Sequence, residues 1–439
     1  MGTLPPELQE RLRNFVAEAA ATPTRSATTR RVLGPVMFPG KATAVLGMRR
    51  AGKTTFLHQL RADRIAKGAK LDEAPYWNFE DERLAGIDLS GLSGLYQEHL
   101  RLSGGAAPKL LCLDEIQLVP GWERFVRRIL DAGTHDVVIS GSSAAMLSRE
   151  VATSMRGRGW EVVIHPFSFA EALVHAGQDP AANRSTSRAR AAVDARLRSW
   201  LHAGGFPEAQ GLDDATRIRL LRDYVDVAVL RDVVERHEVK SVSALRWMVR
   251  HLLGNAGASF SVQKFFDSLK SQGLKVGKDT LHDLLAYLTD CFLVRTVWLE
   301  TDSERRRMVN PRKVYPVDSG LIATFDRSGK PNLGHALETA VLVELERRGA
   351  EVTYVKTADG FEVDFLARFP GSPPQLIQVA ASAADPQTAE RELRALHEAM
   401  REQPNATAHL VVLDDSGLPR ATPSGIRAVA AADWFLGAP

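Results

Sequence analysis

Gly47-Met48-Arg49-Arg50-Ala51-Gly52-Lys53-Thr54 meets the pattern G-x-x-x-x-G-K-S/T at every fixed position. Glycines let a backbone close around a phosphate chain, and amides at a helix start face the anion. Lys53 is placed to reach β- and γ-phosphates, and the Thr54 hydroxyl to ligate Mg²⁺. Gly47, Arg50, Ala51, Gly52 and Thr55 complete the expected nucleotide contacts. A second run, Lys109-Leu110-Leu111-Cys112-Leu113-Asp114-Glu115, is an apolar strand ending in two carboxylates. Asp114 would hold the metal shell, while Glu115 would orient and deprotonate an attacking water. A third run, Val137-Val138-Ile139-Ser140, ends in a hydroxyl that would lie between the first two motifs and sense the γ-phosphate or the water. Ser142 would cap the next helix.

These residues need a scaffold. Ala42–Leu46 reads as a short buried strand before the loop, and residues 55–61 read as the first turns of a helix after it. Apolar strands at 42–46, 75–79, 109–113, 137–140 and 161–164 alternate with helical stretches, which predicts a parallel sheet with helices on both faces. An amphipathic helix from Pro6 to about Ala20 and a Thr/Arg/Ser linker precede it. Residues 176–190 lack periodicity and read as a mobile insertion. Residues 191–240 read as helices broken once, at Gly204-Gly205-Phe206-Pro207.

Farther on, residues 261–270 form an amphipathic helix with a Ser N-cap, 273–277 a turn, and 278–288 a second helix carrying Leu281, Leu284, Leu285 and Leu288. A strand at 292–298 and a polar loop at 301–307 follow. Helix, turn, helix, then hairpin is the order of a winged helix-turn-helix. Residues 240–313 hold thirteen Lys/Arg against seven Asp/Glu. Lys275 and Lys278 would open the recognition helix and Arg305, Arg306 and Arg307 would tip the wing, neutralising DNA phosphates without reading sequence. Equally, a winged helix can join proteins, and an arginine triplet can be a solvated loop.

A chain of 439 residues divides into two to four domains, and 44% hydrophobic with 25% charged residues is ordinary for a globular protein. A formal charge of +3 demands no acidic partner for the whole molecule. Cys112 and Cys291 stand alone in apolar segments, against disulfides or a cysteine metal site. Without a signal pattern or an apolar run near the ~20 residues that span a bilayer, a cytoplasmic protein with no membrane partner is expected.

The phosphate loop, the strand ending in Asp114-Glu115, the hydroxyl-ended strand and then Arg156-Gly157-Arg158 together resemble AAA-type P-loop ATPases. The resemblance implies ATP with Mg²⁺, and no guanine-reading N-K-x-D run follows. It implies that Arg156 or Arg158 reaches a neighbouring subunit's γ-phosphate in a homo-oligomer; a surface arginine or an intrachain salt bridge is the plainer alternative. Gly204-Gly205-Phe206-Pro207-Glu208 resembles the glycine-proline turn that opens the lid helices of STAND-like and archaeal ATPases, which would set Pro207 against the nucleotide; a plain helix–helix turn is the alternative. More narrowly, the chain resembles a bacterial and archaeal family of uncharacterised AAA ATPases with a C-terminal domain of unknown function. Pro166-Phe167-Ser168-Phe169, Leu230-Arg231-Asp232-Val233, Tyr315-Pro316-Val317-Asp318-Ser319-Gly320-Leu321 and Glu362-Val363-Asp364-Phe365 extend the match over roughly nine-tenths of its length.

From Gly334 the order is helix (334–348), three strands (352–356, 361–368, 375–380), helix (386–402) and strand (408–413). It resembles the core of the PD-(D/E)XK nucleases, matching at Glu338, Asp364 and Gln378. The resemblance implies acidic groups around Mg²⁺ and a lysine two residues after the last of them, yet Gln378 takes an acidic position and Ala380 the lysine's. Lys356 is the nearby substitute. A degenerate site that binds nucleic acid or a protein partner is therefore expected ahead of an active nuclease. The expected class is α/β: residues 1–29 helix and linker, 30–175 a P-loop ATPase core, 191–240 a helical lid, 241–320 a winged helix, and 330–439 a restriction-endonuclease-like domain. Three readings stay open: an ATP-hydrolysing switch acting on double-stranded DNA, a nucleotide-gated protein scaffold with little turnover, and an ATP-dependent nuclease.

Overall fold

The computed structural model describes residues 5–24, 27–133, 135–141, 155, 157–182, 186–326 and 332–437. They divide into two compact units, residues 1–164 and 165–439.

In the first unit, α1 (Pro6–Ala21) buries Leu12, Phe15, Val16 and Ala19, a stripe at helical spacing, and packs on α3 (Leu89–Leu102). The sheet holds β1 (Ala42–Leu46), β2 (Tyr76–Asn78), β3 (Leu110–Asp114), β4 (Asp136–Ser140) and β5 (Gly159–Val163) in the order β2-β3-β4-β1-β5. Every pairing is parallel. Apolar but for Thr43 and Asp114, β1 and β3 are buried along their whole length, as strands covered on both faces are. Helix α2 (Lys53–Ala66) follows β1, and α4 (Trp122–Asp131) links β3 to β4. Because β4 lies between β1 and β3, its last residue lies between the phosphate loop and Asp114.

The second unit is built on one eight-stranded sheet in the order β13-β12-β11-β10-β9-β7-β8-β6. Helices α5 (Phe169–His175), α6 (Ser187–Ala203) and α7 (Asp214–Ala228) come first, and α7 runs into a π-helical turn, Val229–Glu235. Then follow α8 (Val242–Gly254), β6 (Ser259–Phe260), α9 (Val262–Ser271), α10 (Lys278–Asp290), β7 (Val294–Leu299), α11 (Glu304–Val309), β8 (Arg312–Pro316) and α12 (Gly320–Phe325). The chain ends with α13 (Leu333–Arg347), β9 (Glu351–Lys356), β10 (Glu362–Arg368), β11 (Gln375–Ala380), α14 (Pro386–Glu402), β12 (Thr407–Val412), β13 (Ile426–Ala430) and α15 (Ala431–Leu436). Leu337, Val341 and Leu345 of α13 share one core with Phe365, Ile377 and Val411. Leu393, Leu396 and Ala399 of α14 share another with Val363, Leu366 and Leu410.

Three expectations change. Residues 176–190 are not wholly without structure, because α6 starts at Ser187, capped by the Thr186 hydroxyl. Its apolar stripe begins only at Val193 and continues through Leu197, Trp200 and Leu201, so the polar first turn carries no periodic signal. Residues 301–307 are not simply a loop: the Ser303 side chain accepts from the Arg306 amide and starts α11. Strand β13 and helix α15 lie beyond the last element that the pattern predicts.

Candidate nucleotide site

The phosphate loop leaves β1 at Leu46 and enters α2 at Lys53. Gly47 (φ +141°), Arg50 (φ +65°) and Gly52 (φ +104°) adopt positive φ, and such reversals fold successive amides into an anion-holding concavity. Gly47 is required twice over, since a Cβ there would sit 2.2 Å from the Ile164 carbonyl oxygen. Lys53 is buried, and its ammonium donates to the Gly47 and Met48 carbonyls at 2.9 and 3.1 Å. The lysine thus already lies along the loop where phosphate would sit. Ala51 is buried, Thr55 partly so, and Arg50 exposed.

Asp114 collects hydroxyls. Thr54 Oγ1 donates to its Oδ2 at 2.8 Å, Tyr76 Oη to the same oxygen at 2.6 Å, and Ser140 Oγ to Oδ1. The Glu115 amide donates to Ser140 Oγ at 3.2 Å, so the buried Ser140 links the two acidic residues. Glu115 sits at φ +55° directly after the strand, and Gln117 Nε2 donates to its carboxylate. Burial raises the Glu115 pKa from its ordinary value, against the pull of Lys53 and with the negative charge of Asp114; a raised pKa makes a stronger proton acceptor. The Thr54–Asp114 pair and the hollow loop fit a nucleotide with a divalent cation.

Two contributors were not foreseen. Tyr76 lies in the expected strand 75–79 with no role assigned to it, and parallel pairing of β2 with β3 brings its phenol to Asp114. Arg30, the first residue of the expected ATPase core, is buried and donates from Nη1 to the Ala51 carbonyl at 2.6 Å, while Gln59 of α2 accepts from its amide. Neither sequence position has a spacing rule. Arg158 pairs with Asp131 of α4, the intrachain alternative. Arg156 and Ser142 lie outside the described residues.

Pro207 belongs to the second unit, in a short 3₁₀ turn. The glycines before it form a clasp. Asp318, buried, accepts from the Gly205 amide at 2.6 Å and the Gly320 amide at 3.0 Å, and the Gly205 carbonyl accepts from Phe167 N at 2.6 Å. A Cβ on Gly205 would meet the Phe167 carbonyl at 2.3 Å. Burial pushes the Asp318 carboxyl up to about 6, although both amides and Arg347 pull it down.

Of the nuclease-like positions, Glu338 and Asp364 converge. Between them stands not Lys356, which is exposed, but Lys313 of β8. Its ammonium lies 3.0 Å from Asp364 Oδ1, 2.8 Å from Glu362 Oε1 and 3.6 Å from Glu338 Oε1. Lys356 is thus corrected to Lys313, invisible to a rule that counts two residues along one strand. Burial works against the Lys313 charge, but Asp364, Glu338 and Glu362 outweigh it and hold its pKa above the ordinary value. Burial and Asp364 raise Glu338. A register shift in β10 between Val363 and Leu366 absorbs one extra residue at Asp364-Phe365. Gln378 turns away: its Nε2 donates to Glu392 at 2.7 Å and its Oε1 accepts from the Asp364 amide at 3.2 Å. Among the described residues no group of three or more His, Cys, Asp or Glu is arranged to hold a metal ion. Lys275, Lys278, Arg305 and Arg306 are exposed, and Arg307 partly buried beside Glu304. No helix of the described residues is long and apolar enough to cross a membrane.

Comparison with known proteins agrees with the first site. Residues 39–173 match the model of an AAA domain, and residues 194–332 that of a domain of unknown function. The uncharacterised protein MJ1544 of Methanocaldococcus jannaschii is 34% identical over 394 residues, 88% of this chain and 85% of that protein. An uncharacterised protein of Haemophilus influenzae is 30% identical over 325 residues, 74% of this chain and 78% of its own. Among solved structures, a Walker-type ATPase of Pyrococcus abyssi matches at 14% identity, covering 73% of this chain and 95% of its own, with a TM-score of 0.37. The chain belongs to the family of AAA-type P-loop ATPases that these archaeal and bacterial proteins share.

Proposed function

We propose that the chain is a Mg²⁺-dependent, ATP-hydrolysing switch whose P-loop unit controls DNA binding by the second unit. The observation that carries the ATPase reading is the convergence of Thr54, Tyr76 and Ser140 on Asp114, with Glu115 in the next position. ATP with its metal supplies the phosphoryl chemistry. Lys53 and the loop amides would hold the β- and γ-phosphates, Thr54 and Asp114 the metal, and Ser140 fixes the spacing of Asp114 and Glu115. Glu115 then accepts the proton of a water aligned with the γ-phosphate, the role its raised pKa suits. Arg156 acting across a homo-oligomer belongs to the same reading.

The DNA reading is supported by the element order α8, β6, α9, α10, β7, β8 with β8 between β6 and β7, the order of a winged helix. Exposed Lys275 and Lys278 flank the start of α10, and exposed Arg305 and Arg306 stand on α11. A protein-binding scaffold is the second reading, favoured by Met308 and Val309, 74% and 72% exposed beside those arginines. Steady-state ATP turnover with and without double-stranded DNA separates the two. Stimulation that vanishes in Lys53→Ala and weakens with salt supports the switch on DNA; turnover indifferent to DNA moves the reading to a protein partner. Lys53→Ala removes charge-assisted bonds of roughly 1.5–3 kcal/mol, about 10- to 150-fold in nucleotide affinity.

A further inference from the structure

Carboxylates that converge out of water require a cation, and two such groups, Glu338 and Asp364, converge here with Glu362 at the exposed edge beside them. Here the protein supplies one. Lys313 lies with its ammonium within 3.0 Å of both Glu362 and Asp364 and 3.6 Å from Glu338. Neighbours also engage these carboxylates, at the same oxygen of Glu338 and at the second oxygen of Asp364. Tyr315 Oη donates to Glu338 Oε1 at 2.7 Å, and the Val379 amide donates to Asp364 Oδ2 at 3.0 Å. Gly257 closes another side: a Cβ there would be 3.2 Å from both Glu338 oxygens. A divalent ion needs oxygen ligands at about 2.0–2.6 Å and room for its waters. It could enter only by expelling Lys313, whose stem is buried and whose charge repels it.

Lys313 also has a place in the chain that gives the pocket a use. It is the second residue of β8, the strand returning from α11 and its exposed arginines. Glu338 comes from α13, and Glu362 and Asp364 from β10. We propose that Lys313 is the built-in counter-cation of the Glu338–Glu362–Asp364 pocket: it excludes a divalent metal, and the pocket serves to fasten the return strand of the arginine-bearing loop. The nuclease-like unit is then an anchor for the wing, not a second hydrolytic centre. This holds whether or not the first unit hydrolyses ATP.

The test is Mn²⁺ binding to the nucleotide-free full chain, read from loss of the free-ion electron paramagnetic resonance signal, in wild type and three variants. Wild type should show no Mn²⁺ binding that Asp364→Asn removes. Lys313→Ala should gain about one equivalent, and Lys313→Ala combined with Asp364→Asn should lose it again. Binding by wild type that Asp364→Asn abolishes overturns the proposal. So does a Lys313→Ala chain that melts cooperatively yet gains no ion. Lys313→Met, which keeps the buried stem, replaces the alanine variant if that fails to fold, and the wild-type measurement decides by itself if neither folds. Fastening is read separately by hydrogen exchange. Residues 304–316 should exchange several-fold faster in Lys313→Met while 407–412 stay unchanged, and equal rates in 304–316 would refute the anchoring role.

Discussion

The Asp318 clasp makes a prediction whose sign can be worked out. Two opposing effects act on this carboxyl: burial favours its neutral form, and the amides of Gly205 and Gly320 favour its charge. Burial wins, lifting the pKa from 3.8 to about 6. The folded chain therefore holds the proton more tightly than the unfolded chain does. The contribution to stability is fully present below about pH 4 and is lost as pH rises through about 6. Two pKa units correspond to about 3 kcal/mol. Asp318→Asn isolates this effect, because the amide is neutral at every pH; it accepts from one N–H and, unlike a protonated carboxyl, can only turn a donor toward the other, a cost that does not vary with pH. The variant should thus keep a constant offset from protonated wild type and escape the loss at higher pH. Hydrogen exchange of peptides covering Gly205 and Gly320, corrected for intrinsic rates, reads it locally. Between about pH 4 and 7, protection in the variant should rise relative to wild type by roughly 150-fold. A pH-independent ratio, or one moving toward wild type, would mean that the two amides outweigh burial and that the reasoning is wrong.

In the first unit, Tyr76→Phe removes one of the hydroxyls on Asp114. It should raise the Mg²⁺ concentration for half-maximal turnover several-fold while leaving metal-free nucleotide binding, measured in chelator, unchanged. Gly47→Ala places a methyl against the Ile164 carbonyl at a φ that alanine resists; destabilisation of the first unit by about 3 kcal/mol or more is expected from denaturant titration. Replacing Arg305, Arg306 and Arg307 together by Ala should weaken DNA binding and flatten the slope of log affinity on log salt by about 0.9 for each phosphate no longer neutralised. An unchanged slope removes α11 from the DNA surface.

The candidate phosphate site was legible because its residues lie in contiguous runs. Glycine spacing marked the loop, and strand rhythm implied a sheet in which Ser140 must fall between loop and Asp114. What stayed hidden depends on partners distant in the chain. Tyr76 meets Asp114 through strand pairing, Arg30 meets Ala51 across 21 residues, and Lys313 meets Asp364 across 51. No periodicity announces such pairs. A motif rule that fixes lysine two residues after an acid looks along one strand, whereas the sheet brings β8 and β10 to the same pocket. The start of α6 was hidden for a different reason: its first turn is solvated and repeats nothing.

One consequence follows from the pairing of β7 with β9. Trp298 and Leu299 run parallel to Thr353 and Tyr354, and the Glu300 amide donates to the Tyr354 carbonyl at 2.8 Å. The helical middle region and the nuclease-like end thus share a single sheet across what the sequence divides near residue 330. Cutting there would leave β7 and β9 each with a bare row of backbone donors and acceptors, the kind of margin on which foreign strands add. The two halves are therefore not interchangeable cassettes. At the bench, a fragment starting near residue 330 would carry that bare margin and seed aggregates.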